Sequence, residues 1–395
     1  MIDLARGIAV LGILAINVAT MAGPGLAAAT PDWHGRAAPH DWASFAFAWL
    51  VFEGKMRTMF ATLFGVSLAL FLDRGDPGRR LLQQVRRLLW LAVFGYLHFL
   101  LLWWGDILFV YALGGMIALL FREMPPWRLI GLGLAIYMVV AAGLMIEVVP
   151  ALRDAHAVAA GTGTPDQIAS VAAYAEAVRA HAAQQFGEYG MGFAEAIGWR
   201  LTHHPAFPLS MASQALMEVW PLMLCGMGLA RTGFFDGAWP RRRLALIAVA
   251  GLVLGLAWGG AVLGYAASQG FAPATVALLP FRFGMPGHIA QAAGYFALIA
   301  LFGEAILGTG VGRRLAAVGR MALSNYLGST LVMTFILHAW GLGLASGYPG
   351  HAALVGLMLL GWGLMLAWSA PWLARFGAGP LEWSWRRLAG TDRSS

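Results

Sequence analysis

The chain has 395 residues, of which 59% are hydrophobic and 11% charged, with a formal net charge of +7 and a mean hydropathy of +0.69. Soluble domains carry about 25% charged residues, so these figures exclude an ordinary soluble globule and define an all-α, polytopic integral membrane helical bundle. The positive balance does not imply nucleic acid, because the arginines fall in short clusters between apolar runs, and the lone cysteine, Cys225, excludes an intrachain disulfide.

The apolar runs predict about ten spans, near 4–23, 44–72, 88–104, 106–121, 128–149, 207–230, 244–268, 286–307, 321–340 and 351–374. The first lacks a clear small-residue cleavage site and is read as a retained span rather than a signal peptide. With both termini cytoplasmic, 19 arginines fall on inner segments and 5 on outer ones, the asymmetry expected of cytoplasmic loops. The Arg-rich composition, with Lys55 the only lysine, points to a GC-rich bacterial genome and thus to a bacterial cytoplasmic (inner) membrane. The division expected is a membrane half over 1–149, an extracytoplasmic helical loop over 150–206 and a second membrane half over 207–395.

Within the loop, "TPDQ" at 164–167 predicts a capping box, with Thr164 as N-cap, Pro165 first in the helix and Gln167 three residues on. A faint internal repeat pairs "LFGVSLALFLDRGDPGRRL" after Thr62 with "LCGMGLARTGFFDGAWPRRRL" after Met223, which aligns Gly65 with Gly226.

The second apolar run contains "FEGKMRTMF" at 52–60. A charge at the centre of a spanning helix costs about 2.5–3.5 kcal/mol. Three would cost roughly 8–10 kcal/mol against about 4–7 returned by a dozen apolar neighbours. Glu53, Lys55 and Arg57 must therefore face protein or water. Glu53 and Arg57, four apart, can share a helix face and pair; Lys55 needs an acid of its own. His98, Asp106, Glu218, Glu304 and Asn325 also lie in or near spans, with His288, Gln291 and His338. So many polar groups predict a shared polar cavity. The alternative is a set of structural ion pairs that fix helix register.

On the first span, Arg6 and Asn17 are eleven apart, which returns to nearly the same face about 16 Å along the helix. The following outer loop holds Asp32, His34, His40 and Asp41, and a His beside an Asp suits a general base. No phosphate-binding loop, H-E-x-x-H, G-x-S-x-G or C-x-x-C motif is present. No metal site and no required cofactor are expected.

"ARGIAVLGILAIN" from Ala5, "GKMRTMFATLFG" from Gly54, "LHFLLLWWGDILFVYAL" from Leu97, "VGRMALSNYLGST" from Val318 and "GPLEWSWRRL" from Gly379 resemble the YeiB-like bacterial membrane proteins, whose C-terminal half is a domain of unknown function. The resemblance covers nearly the whole chain, whose start falls a few residues short of the family's usual one. That family is distantly similar to transmembrane acyltransferases, including the lysosomal heparan-α-glucosaminide N-acetyltransferase. Those enzymes carry an Arg, ten residues, then a His or Asn on their first span, matched here by Arg6 and Asn17. The lysosomal enzyme's catalytic His falls eleven residues after the Asn, where this chain has Ala28, so His34 and His40 are the nearest candidates.

The resemblance implies acyl transfer from cytosolic acyl-CoA to an extracytoplasmic small-molecule, glycan or lipid acceptor. In that reading Arg6, Lys55 and Arg57 meet the acyl-CoA co-substrate, Asn17 binds the thioester oxygen, and His40 or His34 is the base. Glu53, His98, Asp106, Glu218, Glu304 and Asn325 line the cavity. Two other readings stand beside it: a proton-coupled secondary transporter using the buried charges, and a non-catalytic membrane partner. The partners expected are the lipid bilayer and the acceptor, with a homodimer left open.

Overall fold

The structure is a computed structural model. It describes residues 1–33, 37–345 and 347–391, with the side chains of residues 280 and 281 left aside. The described residues form helices and no β-strand. Helix α1 (Ile2–Ala22) is followed by a single turn, α2 (Gly25–Ala28). The second apolar run is two helices, α3 (Pro39–Val51) and α4 (Lys55–Leu72). The break is built on Gly54, whose φ of +73° caps α4. A side chain there would run into the His288 imidazole, so glycine is required on both conformational and steric grounds.

Helix α5 (Pro77–Leu101) starts where Asp76 accepts the Arg79 amide and Pro77 takes the first position. After α6 (Leu108–Leu119), α7 (Pro126–Ala159) runs 34 residues and continues through Pro150. A helical hairpin follows, α8 (Pro165–Tyr189) and α9 (Phe193–His203), and α8 opens with the expected Thr164–Gln167 capping box. Then come α10 (Phe207–Ala230), α11 (Arg241–Ser268), the short α12 (Pro273–Val276) and α13 (Leu279–Phe283), α14 (Met285–Gly308), α15 (Gly310–Arg320), α16 (Ala322–Leu337), α17 (His351–Phe376) and α18 (Pro380–Leu388).

Six stretches among the described residues are long and apolar enough to cross a membrane: Ile2–Ala22, Pro39–Leu72, Pro126–Ala159, Arg241–Ser268, Met285–Gly308 and His351–Phe376. Leu108–Leu119 and Ala322–Leu337 are apolar but shorter. By these measures six of the expected ten spans are long and apolar enough, and two more coincide with the shorter helices. The remaining two expected spans lie on α5, which opens with arginines, and on α10, which carries Glu218.

Helix α1 is central, packed among α4, α15, α16 and α17, whereas α7 and α11 are peripheral. Their outer faces show Val139, Ile146, Leu246 and Val253, as lipid-facing helices do. Inside, small residues set the approach distances. Gly251 of α11 packs on the Ala290 carbonyl and Gly294 of α14, and Gly7 of α1 packs on the Leu315 carbonyl of α15. Helices α4 and α10 run side by side in the same direction. Arg57–Glu218 joins the start of α4 to the middle of α10 at 3.3 Å, and Asp73–Arg231 joins their ends at 2.7 Å.

Candidate functional site

The break in the second run explains its charges. A helix that ends inside a bundle leaves its last carbonyls without partners, and lipid supplies none. Three side chains cap α3. Lys55 Nζ donates to the Trp49 carbonyl at 2.8 Å, Gln291 Nε2 to that of Leu50 at 2.9 Å, and the Tyr295 hydroxyl to that of Val51 at 2.9 Å. The lysine therefore meets a backbone carbonyl rather than the expected acid. Residues 52–54 interrupt the helix, and Arg57 reaches across to Glu218 while Glu53 remains near enough to attract it. A narrow recess beside the break is lined by Trp49, Glu53, Lys55, His288 and glycines of α11 and α14, about 270 Å³ with its open mouth.

A second arrangement has a different chemistry. Helix α5 ends at Leu101, the chain turns through residues 102–107, and Asp106 caps α6 by accepting the Phe109 amide at 2.8 Å. The other Asp106 oxygen holds His98 Nδ1 at 2.9 Å. Gly95 makes this possible: a Cβ there would stand 2.6 Å from the Asp106 carboxylate and would strike the Phe109 backbone. Both side chains are buried, His98 fully. The Tyr326 ring packs against His98 with centroids 5.1 Å apart, and the Tyr326 hydroxyl donates to the Gly105 carbonyl.

With its carboxylate as acceptor, the pair puts the imidazole proton on Nδ1 and leaves the lone pair on Nε2. That Nε2 is buried and has no hydrogen-bond partner among the described residues. A carboxylate-oriented imidazole with a free second nitrogen is the arrangement of a general base.

The α8–α9 hairpin is fastened to the same helix. Buried Arg200 of α9 pairs with Glu188 of α8 at 2.5 Å. It also donates to the carbonyls of Phe99, Leu100 and Leu102, at 3.2, 2.9 and 3.4 Å. It thereby caps the end of α5 just beyond His98. The Tyr189 hydroxyl donates to the Thr20 carbonyl of α1 at 2.7 Å and accepts from Trp104 Nε1 at 2.6 Å; burial holds this phenol well above its usual pKa. Beside these contacts lies a recess of about 390 Å³, lined by Phe99, Trp104, His181, Gln184, Trp199, His204 and Phe207.

The residues singled out from sequence do not all share one chamber. Arg6 bonds Asp3 at 2.8 Å and Ser67 at 2.9 Å, and Asn17 lies half-buried near the other end of α1. Asn325 is closed into a network with the Val318 carbonyl, Ser369 and Trp368. Glu304 is exposed on α14 and belongs to no buried network. His40 is solvent-exposed, and its neighbour Asp41 caps α17 through the Ala352 amide at 2.9 Å. His34 lies outside the described residues. The buried His–Asp pair is thus His98–Asp106, residues the sequence placed in a polar network without a catalytic role. Arg200 was legible only as an outer arginine. No group of metal-ligating side chains gathers among the described residues.

A helical bundle with membrane-length apolar helices defines a helical membrane protein, here one with a buried His–Asp pair in its interior. Residues 229–391 match the family described as "Protein of unknown function (DUF418)". Over 392 residues the chain is 31% identical to the uncharacterized protein YeiB of Escherichia coli strain K12, covering 98% of this chain and 95% of that one. It is 27% identical over 404 residues to the uncharacterized protein YxaH of Bacillus subtilis strain 168, covering 98% and 92%. No solved structure matches. The chain belongs to the YeiB-like DUF418 family of bacterial membrane proteins.

Proposed function

We propose that the protein is a bacterial inner-membrane acyltransferase that takes an acyl group from cytosolic acyl-CoA and delivers it to an extracytoplasmic hydroxyl or amine. The observation that carries this reading is the unpartnered Nε2 of His98, held in orientation by Asp106. In this reading about ten helices span the bilayer, with both termini inside, where the arginine asymmetry favours them. His98 Nε2 accepts the proton of the acceptor's O–H or N–H as that atom bonds to the thioester carbonyl carbon. The tetrahedral intermediate collapses with loss of the thiolate, which takes the proton back from His98. Asn17 is assigned as donor to the oxyanion, and the recess beside Trp199 and Trp104 as the approach for the acceptor.

The test is turnover in proteoliposomes. Acyl-CoA is supplied on the cytosolic face, thiol release is followed, and candidate glycan and lipid acceptors are scanned for the acyl label. Release of thiol with labelling of one acceptor, lost in His98→Ala, supports the reading. A wild-type protein that does neither ends it.

One observation favours a second reading, proton-coupled transport: the helix break that sets Glu53, Lys55 and His288 around one recess. Flux of a substrate abolished by Glu53→Gln, with no acyl transfer, would favour it.

A further inference from the structure

Four arginines converge at the end of the bundle that carries Arg6. Arg87 of α5 feels Arg386, Arg6 and Arg80 as like charges. Its guanidinium lies between two rings, 4.5 Å from the centroid of Phe71 and 4.3 Å from that of Trp385. Arg80, about two helical turns earlier on α5, lies 5.0 Å from the same Phe71 ring. The stacking leaves Arg87 Nε buried without a hydrogen-bond partner among the described residues, and the Oε1 of Gln84, a buried neighbour on the same helix, is likewise unpartnered. Helix α18 is docked here by the Trp385 indole, which donates to the Arg87 carbonyl at 2.7 Å.

The acids nearby neutralise only Arg6 of this cluster. Asp3 is paired with Arg6. Glu382 lies close enough to attract Arg6, but its oxygens accept from the amides of Leu323 and Ser324 and the Ser324 hydroxyl at the start of α16. Like charges held together cost free energy unless an anion joins them. Arginines that served only as interfacial anchors would be spread around the bundle rather than turned toward one another.

We infer that Arg6, Arg80, Arg87 and Arg386 form a binding site for a phosphate-bearing ligand. Guanidinium groups take phosphate oxygens by paired N–H donors, and their flat faces remain free to stack on Phe71 and Trp385. Two ligand sources share this chemistry: a soluble nucleotide diphosphate such as that of coenzyme A, and an anionic lipid headgroup. The register favours the first, and this choice rests on the acyl-transfer reading. Arg87 and His98 are eleven residues apart on α5, on one face and separated by about 16 Å of helix. Arg6 and Asn17 stand in the same relation on α1. Two adjacent arginines and two chemically competent groups are thus set one pantetheine-like arm apart.

The experiment uses the full chain purified in a neutral detergent and titrated with coenzyme A, pantetheine, short-chain phosphatidylglycerol and short-chain phosphatidylcholine. Binding and the thermal midpoint are followed for the wild type, R80Q/R386Q and R87Q. The first variant spares the Arg87 stack, so it keeps the test readable if R87Q fails to fold. The site predicts that coenzyme A binds and stabilises while pantetheine does not, and that binding weakens with salt. Affinity should fall roughly tenfold or more in R80Q/R386Q, as expected for lost charge-assisted contacts.

Binding of phosphatidylglycerol but not of coenzyme A or phosphatidylcholine keeps the phosphate site and overturns its soluble source. If no phosphate-bearing probe binds, or if the wild type and R80Q/R386Q bind alike, the site is overturned. The failure of the acyl-transfer reading looks different: coenzyme A binds through these arginines, yet no acceptor is ever acylated.

Discussion

Gly65 and Gly226 meet at one crossing. A side chain on Gly65 would strike the Met223 carbonyl, and one on Gly226 would strike that of Thr62. The contact is reciprocal, each glycine facing the carbonyl three residues before the other. Thr62 and Met223 are also equivalent in the faint repeat that aligns the two glycines. The same offset pairs Arg57 at the start of α4 with Glu218 at the middle of α10. Gly65→Ala or Gly226→Ala should therefore overpack the crossing and cost about 1–3 kcal/mol. Thermal melts in detergent will show the loss. Gly143→Ala, which meets open space on peripheral α7, should leave the midpoint unchanged or raise it.

His98→Ala should lower turnover by roughly 10²–10⁴-fold, the range for loss of a positioned base, measured on the protein that stays folded, because the stranded Asp106 carboxylate should also lower the thermal midpoint. Asp106→Asn should lower it as well, because an amide no longer dictates which imidazole nitrogen carries the proton. His40→Ala should leave activity intact, since that ring is exposed and its neighbour Asp41 serves α17. Steady-state rates for the three variants decide between the histidines. Full activity in His98→Ala would remove the pair from the chemistry.

Local signals were readable in the sequence and distant ones were not. The Thr164 capping box spans four residues and depends on nothing else. The all-helical membrane bundle followed from apolar runs whose length is set by the bilayer. His98 and Asp106 are eight apart and joined across a turn, a spacing that no helical or strand period marks as contact. The Glu53–Arg57 reading assumed one unbroken helix; Gly54 breaks it, so Arg57 bonds Glu218 with Glu53 still close by. Glu304 sits in an apolar stretch yet faces outward on α14. The composition of a stretch does not reveal which side of a helix meets its neighbours.

Lys55→Met should destabilise the bundle by about 1–3 kcal/mol, because the Trp49 carbonyl would be left buried without a donor. Gln291→Leu and Tyr295→Phe uncap the next two carbonyls and should act in the same direction. Lys55→Met combined with Gln291→Leu should exceed either alone. Melting curves in detergent test this directly. A stable Lys55→Met protein that had lost all function would move the lysine from helix cap to chemistry.

Arg200 and Glu188 are 3% and 6% exposed, so removing one partner strands the other. Arg200→Met should cost about 3–5 kcal/mol of local stability, more than a surface pair would, because it also uncaps α5. The loss should fall first on the α8–α9 hairpin. Hydrogen exchange over residues 165–203 should accelerate before that of α4 or α10, as expected when a satellite unit opens ahead of the core. Arg200→Met with Glu188→Leu should recover part of the loss by removing the stranded carboxylate. If exchange instead rises uniformly across the chain, the hairpin is an integral part of the core rather than a separately anchored cover.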